Sequence, residues 1–325
     1  MLICVTGGTG FIGSHSVAAI LRSGSQVRLL VRDPASVAPI LEPLGIETGS
    51  VEVTVADITD EVSMAAALDG ADAILHTASA NAVDRRAEPR MRHVTVHGTQ
   101  LLFDAARKAD VKLLVHVAGI TGGAAEMVAW RCQSAGYPVV ITYPPALLGP
   151  NDPQLGEQNS RLRSVLRGLI PAWPPGGLAV GDVRDTAAMH AALFTSTTRA
   201  RAVPTSPFSL SALASLTDRD HYIGPYHYVT ARRYVGALRD ATGRPLPTAF
   251  RQAPTGPAPA LLDGCGQRDI KPRPLVETMA DTVRWLYQDG QLTAKQAGLI
   301  GRLTARPPRE RHAAVVAVPA KSVAD

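Results

Sequence analysis

The run Thr6-Gly7-Gly8-Thr9-Gly10-Phe11-Ile12-Gly13 constrains the fold of this chain more than any other segment. It carries glycines in the pattern G-x-x-G-x-x-G. The apolar stretch Leu2 to Thr6 precedes it, and apolar residues at helical spacing follow: Phe11, Ile12, Val17, Ala18, Ile20 and Leu21. A strand, a tight glycine turn and a helix open a parallel α/β unit. Gly7 permits the turn, Gly10 lets the backbone approach a bound pyrophosphate, and Gly13 lets the helix pack close to the strand. The helix N-terminus adds free N–H groups and the positive end of its dipole. The competing reading is a glycine-rich turn that holds no ligand.

The same alternation continues down the chain. Strands are expected at Leu2–Thr6, Gln26–Val31, Val51–Val55, Ala73–His76, Leu113–Val117 and Val139–Tyr143. Helices are expected at Phe11–Ser23, Ser63–Leu68, Val94–Lys108 and Glu126–Ala135. Such a rhythm predicts an α/β fold, a doubly wound parallel Rossmann sheet with helices on both faces. Beyond Pro150 it fails, and Pro and Gly crowd residues 171–177 and 243–259. Helices remain plausible at Arg161–Arg167, Thr186–Phe194, Ala231–Thr242 and Leu275–Asp289. The expected division is a dinucleotide-binding domain over 1–150, a smaller C-terminal substrate lobe over 151–301, interleaved with the sheet, and a flexible tail over 302–325.

Composition excludes several classes. With 46% hydrophobic and 19% charged residues among 325, bulk disorder is ruled out. No apolar run approaches the roughly 18–20 residues of a spanning helix, and Met1 to Thr6 lack the basic start of a secretory signal. Cys4, Cys132 and Cys265 are far apart and form no disulfide framework, which fits a reducing, cytoplasmic compartment. The net charge of +5 is spread out, apart from Arg302, Arg306, Arg309 and Arg311, which read as a solvated tail. Neither nucleic acid nor a membrane is expected as a partner.

The end of the second strand selects the cofactor. It reads Val31-Arg32-Asp33-Pro34, and a guanidinium at Arg32 suits a 2′-phosphate. Asp33 is the rival, since an acid there binds a ribose hydroxyl. NADP(H) is preferred to NAD(H). Asp57 and Ile58 follow the third strand and suit the adenine edge. Thr77, Ala78 and Ser79 follow the fourth and Pro144 the sixth. With Gly7, Gly10, Phe11, Ile12 and Gly13 they make up the expected cofactor contacts.

These segments resemble the extended short-chain dehydrogenase/reductase family, within the NAD-dependent epimerase/dehydratase superfamily. The dihydroflavonol-reductase-like and 3β-hydroxysteroid-dehydrogenase-like branch is the most similar. TGGTGFIG at 6–13, LLVRDP at 29–34, ADIT at 56–59 and AALDGADAILHTAS at 66–79 carry the likeness. So do HGTQLLFDAARKADVKLLVHV at 97–117, GYPVVITYPPALLGPND at 136–152, PPGGLAVGDVRDTAAMHAAL at 174–193 and ALRDATGRPLP at 237–247. The resemblance implies a tyrosine acid, a lysine four residues later, a serine after the fifth strand and an asparagine on the preceding helix.

This chain departs from that pattern. Asp104, Lys108, Gln267, Gln291 and Ala317 stand four residues before its five lysines, so it contains no Tyr-x-x-x-Lys. Aligning Ala125-Glu126 with the family helix puts Ala118 at the tyrosine position and Gly122 at the lysine position. Gly119 stands for the serine and Thr95 for the asparagine. Only the short stretch between Gly119 and Gly136 is left for a segment the family makes much longer, so the site reads as deleted. Thr121 and Tyr143 are weak substitutes. His93 and His97 have metal-ligand spacing without a third ligand, and no metal is expected.

Two functions stay open. One is an NADP(H)-dependent oxidoreductase on a small carbonyl or alcohol with an unorthodox proton donor. The other is a non-catalytic dinucleotide-binding redox or metabolite sensor. Candidate pocket walls are Ala80–Pro89, with Arg85 and Arg86, then Ile120–Gly123, Pro145–Gln158 and Trp173–Gly177. Partners are a small-molecule substrate or none. The shortened helix segment predicts a monomer or a non-standard homodimer.

Overall fold

Short apolar runs bounded by turn residues suit strands covered on both faces, and the computed structural model of the chain builds most of them into one parallel sheet. It describes residues 1–78, 88–119, 124–170, 172–174, 176–195, 220–247, 251–252 and 270–304. In chain order come β1 (Leu2–Thr6), α1 (Phe11–Arg22), β2 (Gln26–Val31), α2 (Ala38–Leu41), β3 (Glu52–Val55), α3 (Glu61–Ala67) and β4 (Ala73–His76). Then follow α4 (Glu88–Lys108), β5 (Leu113–Val117), α5 (Ala124–Ser134) and β6 (Val139–Tyr143). The second half supplies β7 (Ala146–Leu148), α6 (Glu157–Leu166), β8 (Ala172–Trp173), β9 (Leu178–Asp182) and α7 (Val183–Thr195). It continues with β10 (His221–Ile223), β11 (His227–Val229), α8 (Ala231–Thr242), β12 (Arg251–Gln252), α9 (Leu275–Gln288), α10 (Ala294–Ala297) and α11 (Leu299–Leu303).

The central sheet has seven strands in the order β10-β6-β5-β4-β1-β2-β3, all parallel. After β1 the chain moves outward through β2 and β3, then returns to the other side of β1. The crevice beyond the carboxyl ends of β1 and β4 is therefore the topological switch point, where open α/β sheets bind ligands. Side chains alternate across the sheet. Ile3, Val5, Leu29 and Leu75 pack with Val17 and Ile20 of α1 and Leu193 and Phe194 of α7. Cys4, Leu30, Ile74 and Leu114 pack on the opposite face with Met64, Leu102, Phe103 and Val128.

The second half returns to this sheet. β10 extends it, and α7 lies along α1. A buried relay ties the two helices to β6: Ser16 Oγ meets His190 Nδ1 at 2.8 Å, and His190 Nε2 meets Thr142 Oγ1 at 3.1 Å. The rest forms a separate core that includes Leu148, Leu162, Val180, Tyr234, Leu238, Met279 and Val283, over the three-stranded sheet β11-β9-β7. Thr230 caps α8, and Gly243 ends it at φ +64°. An ion cluster clamps α9 to the β9–α7 corner. Asp182, its side chain fully buried, bonds Arg184 Nη2 at 2.7 Å and Thr278 Oγ1 at 2.8 Å, and Arg184 Nη1 reaches Asp281 at 2.7 Å.

Several elements differ from the sequence reading. α4 starts at Glu88, because Pro89 is tolerated in a first turn although the apolar pattern begins only at Val94. α3 starts at Glu61 because Asp60 caps it, accepting from Val62 N and Ser63 N. β7, β9, β10 and β11 were not foreseen; strands of three to five residues leave little periodicity to read. α11 runs to Leu303, past the 301 boundary. Among the described residues no helix is long and apolar enough to cross a membrane.

Candidate functional site

The glycine loop stands at the switch point, and the reasons for its glycines differ. Gly7 has φ +71°, and a Cβ there would lie 2.7 Å from both Ala78 N and Thr77 Oγ1. A Cβ on Gly13 would lie 2.1 Å from Gly7 O, and one on Gly8 would lie 2.4 Å from Leu29 Cδ2. Those three glycines are demanded by packing alone. Gly10 is not. Its backbone is extended, at φ −89° and ψ 173°, and a Cβ would meet nothing closer than Gly7 O at 3.3 Å. It faces open space ahead of α1. That helix has no side-chain cap and no acid in its first turn, so its dipole end and the N–H groups of Phe11, Ile12 and Gly13 are left for an anion.

The next strand ends flank this loop. Thr77 Oγ1 donates to Thr6 O at 2.8 Å, which seats Thr77 and Ala78 directly against Gly7 and Gly13. After β2, Asp33 is turned inward on its own chain: Oδ1 accepts from Ala35 N at 3.0 Å, with Pro34 opening the short turn. Arg32 is exposed, and its guanidinium makes no hydrogen bond or ion pair among the described residues. After β3, Asp57 Oδ1 accepts from Thr59 N at 2.8 Å and Thr59 Oγ1 at 2.7 Å. Those two bonds, with a smaller push from the charge on Arg32, hold its carboxyl below the usual range. Ile58 packs against Gly98 of α4, where a Cβ would lie 2.7 Å from its side chain. Pro144 is buried just after β6. Ser79 lies outside the described residues.

The edge formed by β4, β5 and β6 is where the resemblance looks for catalytic groups. Ala118 directly follows β5, its N–H donating to Thr142 O at 2.8 Å, and α5 begins only at Ala124. Position 118 therefore lies on the sheet edge, not on a helix. Gly119 is exposed, with nothing within 4 Å of a Cβ placed on it, and Thr95 is half-buried on α4. Thr121, Gly122, Arg85 and Arg86 lie outside the described residues, as do 79–87 and 120–123 of the candidate walls; the side chain of His93 does also.

Tyr143 points away from this edge. Its ring stacks on His221 of β10 at 6.0 Å and 19°, with its hydroxyl 3.3 Å from Nδ1. His221 Nε2 meets Gln133 Oε1 at 2.9 Å, while Gln133 Nε2 donates to Val139 O. The amide's orientation makes His221 Nε2 the protonated nitrogen, so Nδ1 accepts from Tyr143. Burial lowers the His221 pKa to about 4. His76 is likewise enclosed, between Thr6 Oγ1 at 2.6 Å and Thr99 Oγ1 at 3.0 Å. Its neighbour His116 stands 5.2 Å away ring to ring, and its buried Nδ1 has no partner. Desolvation keeps both neutral, with His116 at about 4. Sequence reasoning passed over His116, His190 and His221, because their partners lie far off in the chain.

Residues 4–126 match the 3-beta hydroxysteroid dehydrogenase/isomerase family. A putative dihydroflavonol 4-reductase from Synechocystis is 25% identical over 272 residues, 75% of this chain and 73% of that protein. Sterol demethylase protein B from Methylococcus capsulatus is 26% identical over 58% of this chain, which spans 65% of that relative. The rat 3 beta-hydroxysteroid dehydrogenase type 7 is 35% identical over 123 residues, only 36% of its length. Among solved structures, a dTDP-glucose 4,6-dehydratase from Streptomyces venezuelae superposes with a TM-score of 0.64 at 22% identity, covering 89% of this chain and 98% of that one. A UDP-glucuronic acid 4-epimerase from Bacillus cereus gives 0.66 at 15% identity, covering 89% and 99%. The fold and the glycine loop agree with these structures on a Rossmann-type α/β fold. Over residues 4–126, and more weakly over most of its length, the chain is similar to the extended short-chain dehydrogenase/reductase family.

Proposed function

We propose that this protein binds NADP(H) at the switch point and is, by descent, an oxidoreductase of small carbonyl or alcohol substrates whose proton delivery is impaired. One observation carries the cofactor choice: the exposed Arg32 guanidinium makes no hydrogen bond or ion pair among the described residues, while Asp33 beside it holds Ala35 N through Oδ1. A 2′-phosphate suits that guanidinium, and the turn occupies one oxygen of Asp33, so that only Oδ2 remains for a ribose hydroxyl. The dehydratase and the epimerase are described with NAD bound, which supports a nicotinamide dinucleotide in general. The open space before Gly10 fits a pyrophosphate, and Asp57 keeps Oδ2 for the adenine edge. When bound, such a cofactor supplies or accepts a hydride.

The reaction also needs a proton at the substrate oxygen, because hydride addition to a carbonyl leaves an alkoxide. The chain has no Tyr-x-x-x-Lys for this. Tyr143 directs its hydroxyl hydrogen bond to His221 instead, and His76 is closed in by two threonines. Turnover should therefore be slow, and dinucleotide sensing is the second reading that the same lack favours. Titration of the protein with NADPH and NADH, followed by a screen of mixed aldehydes and ketones for cofactor oxidation, tests both parts.

A further inference from the structure

The loop after β7 runs against the start of α1. A Cβ on Gly149 would lie 2.6 Å from Val183 Cγ1 and 3.4 Å from Phe11 Cζ, so the two segments touch there. Phe11 is the first residue of α1. Its ring is held between Gly149 and His15, which meets it edge-on at 5.5 Å and 89°. His15 Nε2 donates to Pro150 O at 2.9 Å. From the other side the buried Asn159 of α6 grips the same loop. Its Oδ1 accepts from Gly149 N at 3.4 Å, and its Nδ2 donates to Gly149 O at 3.1 Å and to Asp152 Oδ2 at 2.9 Å. Asp152 Oδ2 also accepts from Gly156 N at 2.7 Å, which closes the loop onto α6.

Resting on the dinucleotide reading above, we propose that Asn159 is a positioning residue for the cofactor pyrophosphate. By fixing Gly149 and Pro150 it holds the Phe11 ring, and with it the first N–H groups of α1, in the pose that receives the phosphates. The C-terminal lobe thereby sets affinity at a site that Asn159 does not touch. By linkage, whatever shifts α6 also shifts cofactor affinity.

The test uses the full chain and two probes, NADPH and adenosine 2′-monophosphate, which reaches the Arg32 end but has no pyrophosphate. Asn159→Leu should weaken NADPH on the order of tenfold, the scale of one or two buried neutral hydrogen bonds, and leave adenosine 2′-monophosphate unchanged. His15→Leu acts on the same loop from α1 and should show the same selectivity, also where Asn159→Leu fails to fold. His15→Gln keeps an N–H for Pro150 O and should restore most of the affinity. The double leucine variant should lose less than the product of the two single losses. Unchanged NADPH affinity in both leucine variants overturns the proposal. So does an equal loss of both probes in step with the melting temperature. A wild-type protein that binds neither probe overturns the dinucleotide reading itself, which the variants alone cannot do.

Discussion

Packing leaves Gly10 and Arg32 unexplained, and the proposed dinucleotide would account for both. A valine at Gly10 needs no unusual backbone and meets only Gly7 O at 3.3 Å. Gly10→Val should therefore melt within a few degrees of the wild type while losing NADPH binding by about a hundredfold or more, since its side chain fills the phosphate space. Wild-type NADPH affinity in that variant would put the phosphate site elsewhere. At Arg32 the loss is electrostatic. Removing a charge-assisted pair costs about 1.5–3 kcal/mol, so Arg32→Ala should weaken NADPH roughly tenfold to a hundredfold and hardly change NADH. Equal affinity of the wild type for both cofactors would contradict this. Tyr143→Phe should cost about 1 kcal/mol of stability, one hydrogen bond to His221, and leave any turnover as it is. A collapse of turnover in that variant would identify Tyr143 as the acid after all.

At the scale of elements, buried histidines predict an acid-labile fold. Desolvation lowers the pKa of His15 on α1, His116 on β5 and His221 on β10 to about 4, and that of His190 on α7 to about 3. In the unfolded chain each titrates near 6.5. Below that pH the unfolded state binds protons that the native state refuses, so stability falls as pH drops and levels off below the folded values. It is fully present above about pH 6.5. Each such histidine removes up to about 1.4 kcal/mol per pH unit in that window. Urea denaturation midpoints should hold steady from about pH 8 to 7 and drop clearly by pH 5; a flat profile to pH 5 would refute the neutral, buried assignment. β1, β2, β4, β5 and β6 fall where the sequence places them, because strands covered on both faces read as apolar runs. The histidine relays could not be read this way: Thr6 and His76 are 70 residues apart, and Ser16 and His190 are 174 apart. The glycine loop was legible to the residue, but the difference between Gly10 and its neighbours appears only once Leu29, Thr77 and Ala78 are in place around it.

For the whole molecule, two halves of the chain share one sheet, and the charged corner at Asp182 fastens α9 to it. Arg184→Ala would take the guanidinium from the fully buried side chain of Asp182 and leave Thr278 Oγ1 and Arg273 Nε at 3.5 Å among its partners, and breaking a buried pair costs up to about 3–5 kcal/mol. Loss of cooperative unfolding, or a strongly lowered melting temperature, is the expected result; a change within about 0.5 kcal/mol would show the corner to be solvated. The proposed cofactor site and the lack of a Tyr-x-x-x-Lys meet in one measurement: the steady-state oxidation of NADPH by the wild-type protein, saturated with NADPH, across a panel of aldehydes and ketones. Bound NADPH is expected, with turnover far below about 1 s⁻¹ that rises as pH falls because the proton must come from solvent. Robust turnover on the order of 1–10 s⁻¹ at neutral pH, as working enzymes show, would contradict this.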